Sequence, residues 1–332
     1  MRLHYLAWVI WVLGAATAAV FTRNPLYLLL LLGSYTLLTK ALAPSSAGGT
    51  LRFAAYVIPT TAMFNLLTAH VGTTVLYRLP AGLPLLGGPL TAEALVYGAL
   101  NGLLLTTLFA AFRVLDLALS VHDLIALVPR AFYPVAVVIS IAVTFVPTLR
   151  RQLQQIREAQ AIRGHRMRGL RDWLPLFLPL LVGGLERALR LAEALTVRGF
   201  VAITPAPDTP TRLGLVSALA LLLLGLWLRL TPGWDAAALA CSGAGGLLFA
   251  ALIYRLGRRT ERTTYRSARW SFRDSGVTLG ALLALVGVLL DPATRTYTPY
   301  PTLTAPPFNF MTGLALLALA TPLFIGIDRQ ER

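Results

Sequence analysis

The chain has 332 residues, of which 56% are hydrophobic and 13% are charged, about half the charged fraction of an average soluble domain. Its formal net charge is +15, and every basic residue except Lys40 is an arginine. The composition excludes an ordinary soluble domain, and the single cysteine, Cys241, excludes an intrachain disulfide and a cysteine-based metal site. The arginines cluster between apolar runs, at 150–171 and 255–273, which marks the cytoplasmic side of a membrane protein rather than a nucleic-acid interface.

Apolar runs close to the roughly 20 residues that a helix needs to cross a bilayer recur along the chain. They lie at about 6–21, 25–43, 53–71, 93–119 and 131–149, and again at about 212–230, 236–254, 275–290 and 309–327. Runs such as 26–32 and 221–230 lack the period-two alternation of a transmembrane β-barrel. The sequence therefore predicts an all-α, polytopic membrane protein with about 7–9 membrane helices.

The loops between the runs constrain the topology. Residues 72–92 are rich in glycine and proline and predict an ordered hairpin or loop, and 291–308 contains five prolines and predicts an outside loop. If 150–211 is inside, the second half crosses consistently and its basic loop is inside. The first half allows five crossings with an outside N-terminus, or four with an inside N-terminus and one run that does not cross. Run 6–21 is short, so a tilted, re-entrant or broken helix stays open for it.

The central polar segment begins where Pro147 is expected to end or kink the preceding span. After it, side chains at helical spacing form a thin apolar face that leads to Arg163, and Gly164 supplies a stop, since glycine is favoured just past a helix C-terminus. The members of this face are Leu149, Leu153, Ile156 and Gln160.

A second amphipathic helix is predicted at 183–200, and it ends in the same Arg-Gly pair, at Arg198 and Gly199. Its apolar stripe consists of Leu185, Ala188, Leu189, Ala192 and Leu195. The intervening segment 173–182 contains two prolines and predicts a re-entrant or membrane-skimming connector. Arginine presents five N–H donors in a planar fork that matches a carboxylate. Two arginines at helix ends therefore indicate groups that insert into acidic pockets of a partner, which we call sockets.

The run AQAIRG, followed about 35 residues later by a helix ending in VRGF, resembles the transmembrane T component of energy-coupling-factor (ECF) transporters. The cobalt and nickel uptake subunits belong to the same family. The resemblance implies two coupling helices whose arginines, Arg163 and Arg198, each dock in a groove of a cytoplasmic ATP-binding-cassette ATPase. The flanking docking residues are Ile162, Gly164, Val197 and Gly199.

Other fragments carry the same resemblance. Arg262-Thr263-Thr264-Tyr265, with Trp270 and Asp274, is similar to a stretch found in many family members. The chain departs from the pattern in two respects. Ile162 and Val197 stand where the family usually has alanine, so packing at the helix ends is expected to differ. Two extra apolar runs lie between 212 and 254.

The resemblance implies three regions: an N-terminal transmembrane region (1–149), a cytoplasmic coupling-helix region (150–211), and a C-terminal transmembrane region (212–332) with the basic loop 255–273. The implied function is a non-catalytic scaffold in the cell membrane. It would couple two ABC-type ATPases to a substrate-binding membrane subunit for a vitamin, a vitamin precursor or a metal ion. ATP and Mg would be bound by the partner ATPases, with no cofactor, metal or catalytic residue in this chain and no nucleic-acid partner.

The absence of a P-loop agrees with this division of labour. The loop requires Gly-Lys followed by serine or threonine, and the only lysine, Lys40, precedes alanine. Two alternatives stay open. In the first, the chain is a membrane-embedded enzyme that uses clustered arginines to bind a phosphate-bearing substrate. In the second, it is a secondary transporter, which would require inverted repeats that the sequence does not display.

Overall fold

The computed structural model describes residues 3–44, 47–79, 87–164, 169, 173–199, 208–231, 233–258, 270–294 and 297–325. Its helices are α1 Tyr5–Phe21, α2 Pro25–Leu42, α3 Ala47–Thr68, α4 Ala92–Ala118, α5 Val121–Ala126, α6 Tyr133–Ile162, α7 Leu174–Val197, α8 Thr209–Arg229, α9 Asp235–Arg258, α10 Phe272–Leu290, α11 Phe310–Leu317 and α12 Thr321–Ile325. Two antiparallel strands, β1 Val75–Arg78 and β2 Pro89–Thr91, form a hairpin before α4. The Arg-Thr-Thr-Tyr segment at 262–265 lies outside the described residues.

Within the described ranges, six helices are long and apolar enough to cross a membrane: α2, α4, α6 with its leading 3-10 turn, α8, α9 and α10. The segments Tyr5–Phe21 and Phe310–Ile325 are shorter apolar helices. The prediction of a polytopic helical membrane protein is confirmed, and so is the hairpin predicted within 72–92.

In the central segment, one of the two alternatives for Pro147 was wrong, and so was the prediction of a separate connector at 173–182. Pro147 does not end a helix, because α6 runs on through it as one helix of 30 residues. The segment 173–182 is not a separate connector but the first turns of α7, with Pro175 and Pro179 inside the helix. Proline is well tolerated in the first turn, where the amide hydrogen has no helical partner, and further along it removes a single hydrogen bond.

The chain packs as two compact units. Unit 1 comprises Met1–Ser120 with Arg266–Arg332, and unit 2 comprises Val121–Tyr265. This division follows packing, whereas the three predicted regions follow the sides of the membrane, so those regions stay a prediction.

Unit 1 has a continuous buried core in which α1, α2, α4, α10 and α11 meet. Trp11 is fully buried, packs edge-on against Tyr35 at 5.5 Å between ring centroids, and donates its indole hydrogen to Leu319 O at 2.9 Å. The hydroxyl of Tyr35 donates to Ala15 O at 3.2 Å. The polar atoms of these two rings therefore have hydrogen-bond partners within the core, as burial requires.

Small residues bring α3 and α4 into close contact. A Cβ on Gly98 would lie 2.7 Å from the backbone of Ala62, so only glycine permits this approach. Next to it, Asn65 donates from Nδ2 to Ala94 O at 2.6 Å. Because these contacts run in opposite order along the two helices, α3 and α4 are antiparallel.

One end of unit 1, which we call the His4 end, joins the start of α1 to the start of α10. The buried carboxylate of Asp274 accepts hydrogen bonds from His4 N and from Ser271 N, both at 2.7 Å. The Trp270 ring lies 5.4 Å from the His4 ring. The start of α1 and the start of α10 are therefore at the same end of the unit.

The opposite end, the Asn24 end, joins the α1–α2 turn to the segment after α10. Arg23 N donates to Thr294 O at 2.8 Å, and Asn24 Nδ2 donates to Pro307 O. The start of α4 is also here, since Tyr97 lies 5.3 Å from Tyr300 between ring centroids. Hence α1, α3 and α10 run towards the Asn24 end, and α2 and α4 run back towards the His4 end.

Unit 2 contains two helical pairs, α6 with α7 and α8 with α9. In the second pair the backbones almost touch, because a Cβ on Gly225 would lie 2.7 Å from Ser242 N and one on Gly245 would lie 2.9 Å from Leu222 N. The end of α9 packs against the 3-10 turn Arg130–Phe132 that precedes α6. The α8–α9 pair is therefore attached to the same unit as α6 and α7.

Candidate functional site

The helix α6 ends at the first Arg-Gly pair. Arg163 is the last residue with nearly helical geometry (φ −77°, ψ 7°), and its amide donates to Ala159 O at 3.4 Å. Gly164 follows at φ +80° and donates its amide to Ala161 O at 3.0 Å. This is a left-handed C-cap, the stop that the sequence predicted.

The helix α7 ends in the same way 35 residues later. Arg198 has φ −80° and ψ 5°, and its amide donates to Ala194 O at 3.2 Å. Gly199 has φ +73° and donates to Thr196 O at 2.9 Å. Two short segments of different sequence thus present one backbone geometry, with an arginine at the last helical position of each.

The C-terminal ends of α6 and α7 are both exposed. Ile162 is 89% exposed and Val197 is 88% exposed, although both are β-branched apolar residues. In the part of the chain that the structure describes, the guanidinium groups of Arg163 and Arg198 form no ion pair or hydrogen bond. We call residues 162–164 and 197–199 the two tips.

The two glycines of the tips are required by backbone conformation and not by crowding. A Cβ on Gly164 or Gly199 would find no atom of the described residues within 4 Å. Their positive φ angles nevertheless disfavour any residue with a side chain, by roughly 1–2 kcal/mol. The two glycines are therefore explained by their backbone angles.

The helices carrying the tips cross near the middle of each. Leu149 of α6 contacts the position of Gly184, where a Cβ would lie 4.0 Å away, and Gln152 packs so tightly on Gly183 that a Cβ there would overlap its Nε2. One turn along α7, the guanidinium carbon of Arg187 lies 5.4 Å from the ring centroid of Phe145.

The order of these contacts orients the tips. As α6 advances from residue 145 to 152, its contacts on α7 move back from residue 187 to 183. The two helices therefore run antiparallel through the crossing, and their C-terminal tips lie on opposite sides of it. Eleven residues separate Gln152 from Arg163, and fifteen separate Gly183 from Arg198. At about 1.5 Å per residue the arms are roughly 16 and 22 Å long.

Sequence reasoning located the tips but missed the crossing. Four of the five residues of the predicted α7 stripe are exposed, and only Leu195 is half-buried. The half-buried face instead contains Gly183, Gly184, Arg187 and Leu191. The adjacent glycines were the available signal, since small residues mark close helix approach.

Among the residues that the structure describes, no three histidine, cysteine, aspartate or glutamate side chains are placed to share a metal ion. The expectation that this chain itself holds no metal or cofactor stays a prediction.

Comparison with known proteins identifies a family for more than half of the chain. The model of the CbiQ family, described as cobalt transport protein, matches residues 1–209, which include both tips. The match ends where α8 begins, so the α8–α9 pair lies outside it.

Individual relatives are named energy-coupling factor transporter transmembrane proteins. The one from Leuconostoc gelidum subsp. gasicomitatum is 41% identical over 71 residues, which is 20% of this chain and 26% of the relative. One from Listeria monocytogenes is 29% identical over 133 residues, 34% of this chain and 49% of the relative. One from Staphylococcus aureus is 34% identical over 74 residues, 20% of this chain and 28% of the relative. The matched segments span at most about half the length of these relatives.

Proposed function

The chain belongs to the CbiQ cobalt transport protein family, and from this premise we propose that it is the transmembrane scaffold of an ECF-type uptake transporter. It couples two cytoplasmic ABC-type ATPases, which bind ATP and Mg, to a separate substrate-binding membrane subunit. The substrate is a vitamin, a vitamin precursor or a metal ion, and the name of the family keeps cobalt among the candidates. The chain itself catalyses no reaction.

One observation carries this proposal: the two tips share one geometry, are exposed, and point away from a common crossing. Arg163 and Arg198 each offer a free guanidinium fork suited to a carboxylate. Ile162 and Val197 add an apolar contact beside each fork. Arms of roughly 16 and 22 Å hold the tips apart, so two ATPases can dock without competing for one surface.

The side of the membrane follows from unit 1. The basic segment 255–273 leads into α10, and positive charge next to a span marks the cytoplasmic side. The His4 end, where α10 begins, is then cytoplasmic, and with it the N-terminus of the chain. We count four crossings, by α1 to α4, which bring the chain back to the cytoplasm at Ala118. The helices α1 and α3 are outside the six that are apolar enough to span, and they are counted because α1 packs on α4 and α10 and α3 packs on α4.

This topology supports one of the two arrangements that the sequence left open, with four crossings and an inside N-terminus. The helix α6 starts on the cytoplasmic side and must end there for Arg163 to meet a soluble ATPase. The run that does not cross is therefore 131–149, although α6 is apolar enough to span. The exposed leucines of α7, including Leu178, Leu181 and Leu185, suit a helix that lies against the bilayer surface.

The experiment is co-purification of the full chain with the ATPases of its source organism. Replacing both tip arginines, Arg163→Glu and Arg198→Glu, places like charges against the proposed acidic sockets and is expected to weaken binding about 100-fold or more. The matched control reverses Arg157 and Arg190, two exposed arginines on the same helices one to two turns before the tips. Retained ATPase binding by the tip variant, or equal loss in the control, would overturn the proposal.

A further inference from the structure

A half-buried arginine, Arg187, lies where α6 and α7 cross, and the proposed docking gives it no role. Arg187 places its guanidinium carbon 5.4 Å from the ring centroid of Phe145. Its Nη1 atom is buried and has no hydrogen-bond partner in the described part of the chain. A long, flexible arginine on a largely exposed helix ordinarily extends into water. Its retention at the crossing therefore needs a cause, and stacking of the weakly hydrated guanidinium on an aromatic face supplies one.

Few directional contacts fix the angle of this crossing. The side-chain oxygen Oε1 of Gln152, which packs on Gly183, is also buried without a partner. Within the described residues neither polar side chain makes a hydrogen bond through its buried atom, so the angle depends on apolar packing and on the contact between Arg187 and Phe145. The contact between Arg187 and Phe145 lies one turn away from the contacts at Gly183 and Gly184, and so it resists rotation of one helix over the other.

The lengths of the arms magnify any change in that angle. With arms of roughly 16 and 22 Å, a rotation of about 10° moves each tip by roughly 3–4 Å. Such a displacement is larger than the tolerance of a bidentate hydrogen bond, whose donor–acceptor distances vary by about 0.5 Å. The angle at the crossing therefore determines whether both tips fit two sockets at once.

We propose that Arg187 is a positioning residue, which acts through its stack on Phe145 to set the crossing of α6 and α7 and hence the separation of the two tips. The inference rests on the proposed function for its purpose, because the tip separation matters only if both tips dock. The separation itself is a property of this chain alone.

Pulsed electron-spin resonance distances test the proposal on the full chain in lipid nanodiscs, without ATPases. Nitroxide labels at Ala161→Cys and Ala194→Cys, both exposed, report the tips in a Cys241→Ser background. Arg187→Met keeps the stem and removes the guanidinium, and it is expected to shift or broaden the distance distribution by about 3 Å or more.

The matched control is Arg190→Met, on an exposed arginine less than one turn away that pairs only with Glu186 at 3.8 Å. It is expected to leave the distribution unchanged. Phe145→Leu, which removes the ring while Arg187 stays in place, provides a second route to the same contact and is expected to reproduce the change. The double variant is expected to change the distance no more than either single variant, because one contact is removed in all three.

An unaltered distribution in Arg187→Met, or single effects that add in the double variant, would overturn the proposal. Far-UV circular dichroism and a monodisperse elution profile establish that each variant is folded. Since the distances require no ATPase, a failure here is distinct from a failure of the tip-reversal experiment, which tests docking itself.

Discussion

Unit 1 and unit 2 are both helical and apolar, yet they bury their side chains to different extents. In the most apolar stretch of α4, in unit 1, 39% of the residues are buried, against 6% for α6 and 11% for α8 and α9 in unit 2. Unit 1 holds rings such as Trp11, Tyr27 and Tyr35 wholly inside.

In a bilayer an exposed leucine costs little, because lipid tails are as apolar as the side chain itself. The difference therefore separates a self-supporting bundle from a unit whose surfaces are left for lipid and partners. It also agrees with the proposed role of the tips, which are on unit 2, because a docking surface must stay outside the packing of its own chain. The following substitutions compare the two units, beginning with the largest expected effect.

A buried tryptophan and an exposed one give the strongest contrast. Trp11→Ala removes a ring that is 0% exposed and leaves Leu319 O without its donor. We expect a loss of about 3–5 kcal/mol in the free energy of unfolding, measured by denaturation in mixed micelles. Trp227→Ala in α8, where the ring is 60% exposed, is the control and is expected to change it by less than about 0.5 kcal/mol. Similar losses at both positions would remove the distinction between the units.

The Asp274 carboxylate tests the closed end of unit 1. Asp274→Ala leaves the buried amide of His4 without an acceptor and also removes the acceptor of the more exposed Ser271 amide. We expect a destabilisation of roughly 2–3 kcal/mol, visible as a lower midpoint of thermal unfolding. Asp235→Ala, at the exposed first turn of α9, is the corresponding change in unit 2 and is expected to be nearly neutral. An equal shift for the two aspartates would argue against a fixed His4 end.

The glycines of the tips separate docking from stability. Gly164→Ala and Gly199→Ala force a side chain into positive φ in open space, at about 1 kcal/mol each. We expect about 5-fold weaker ATPase binding by each variant, measured by surface plasmon resonance, with an unchanged unfolding midpoint for unit 1.

The control for these variants is Gly233→Ala. Gly233 has φ +94° and, among the described residues, no atom within 4 Å of the position that a Cβ would take, but it lies in the α8–α9 turn and in neither tip. It therefore carries the same backbone cost, and we expect ATPase binding to be unchanged. Weaker binding by Gly233→Ala would show that backbone strain anywhere in unit 2, and not the geometry of the tips, governs docking.

The smallest effect is expected for the surface ion pair of α7. Glu186 and Arg190 are 3.8 Å apart and both are largely exposed, so the pair contributes at most about 0.5 kcal/mol. Glu186→Gln should leave stability and ATPase binding within experimental error. A clear loss of binding would mean that the ATPases contact the side of α7 in addition to its tip.

Composition and periodicity were sufficient to predict most helices and both tips. An apolar run of about 20 residues has few alternatives to a helix in a membrane, and Arg-Gly after a helical stripe is a strong stop signal. The continuity of α6 through Pro147 was not predictable, because one proline removes a single hydrogen bond and tertiary context decides whether the helix continues.

The crossing of α6 and α7 was beyond the sequence for a different reason. Arg187 reads as one more surface arginine until Phe145 is known to face it from 42 positions earlier in the chain. Likewise, the contact between His4 and Asp274 joins residues 270 positions apart. Such pairings depend on which helices become neighbours, and a single sequence does not contain that information.

The most direct measurement of the central claim is photocrosslinking from the tips. A chain carrying p-benzoylphenylalanine in place of both Ile162 and Val197 is irradiated in membranes that contain its ATPases. In the proposed docking each tip occupies its own socket, so the doubly substituted chain is predicted to give a product with the mass of one chain and two ATPase subunits. Either single substitution should give a product with one. Products that never exceed one ATPase, or none at all, would contradict docking of one ATPase at each tip.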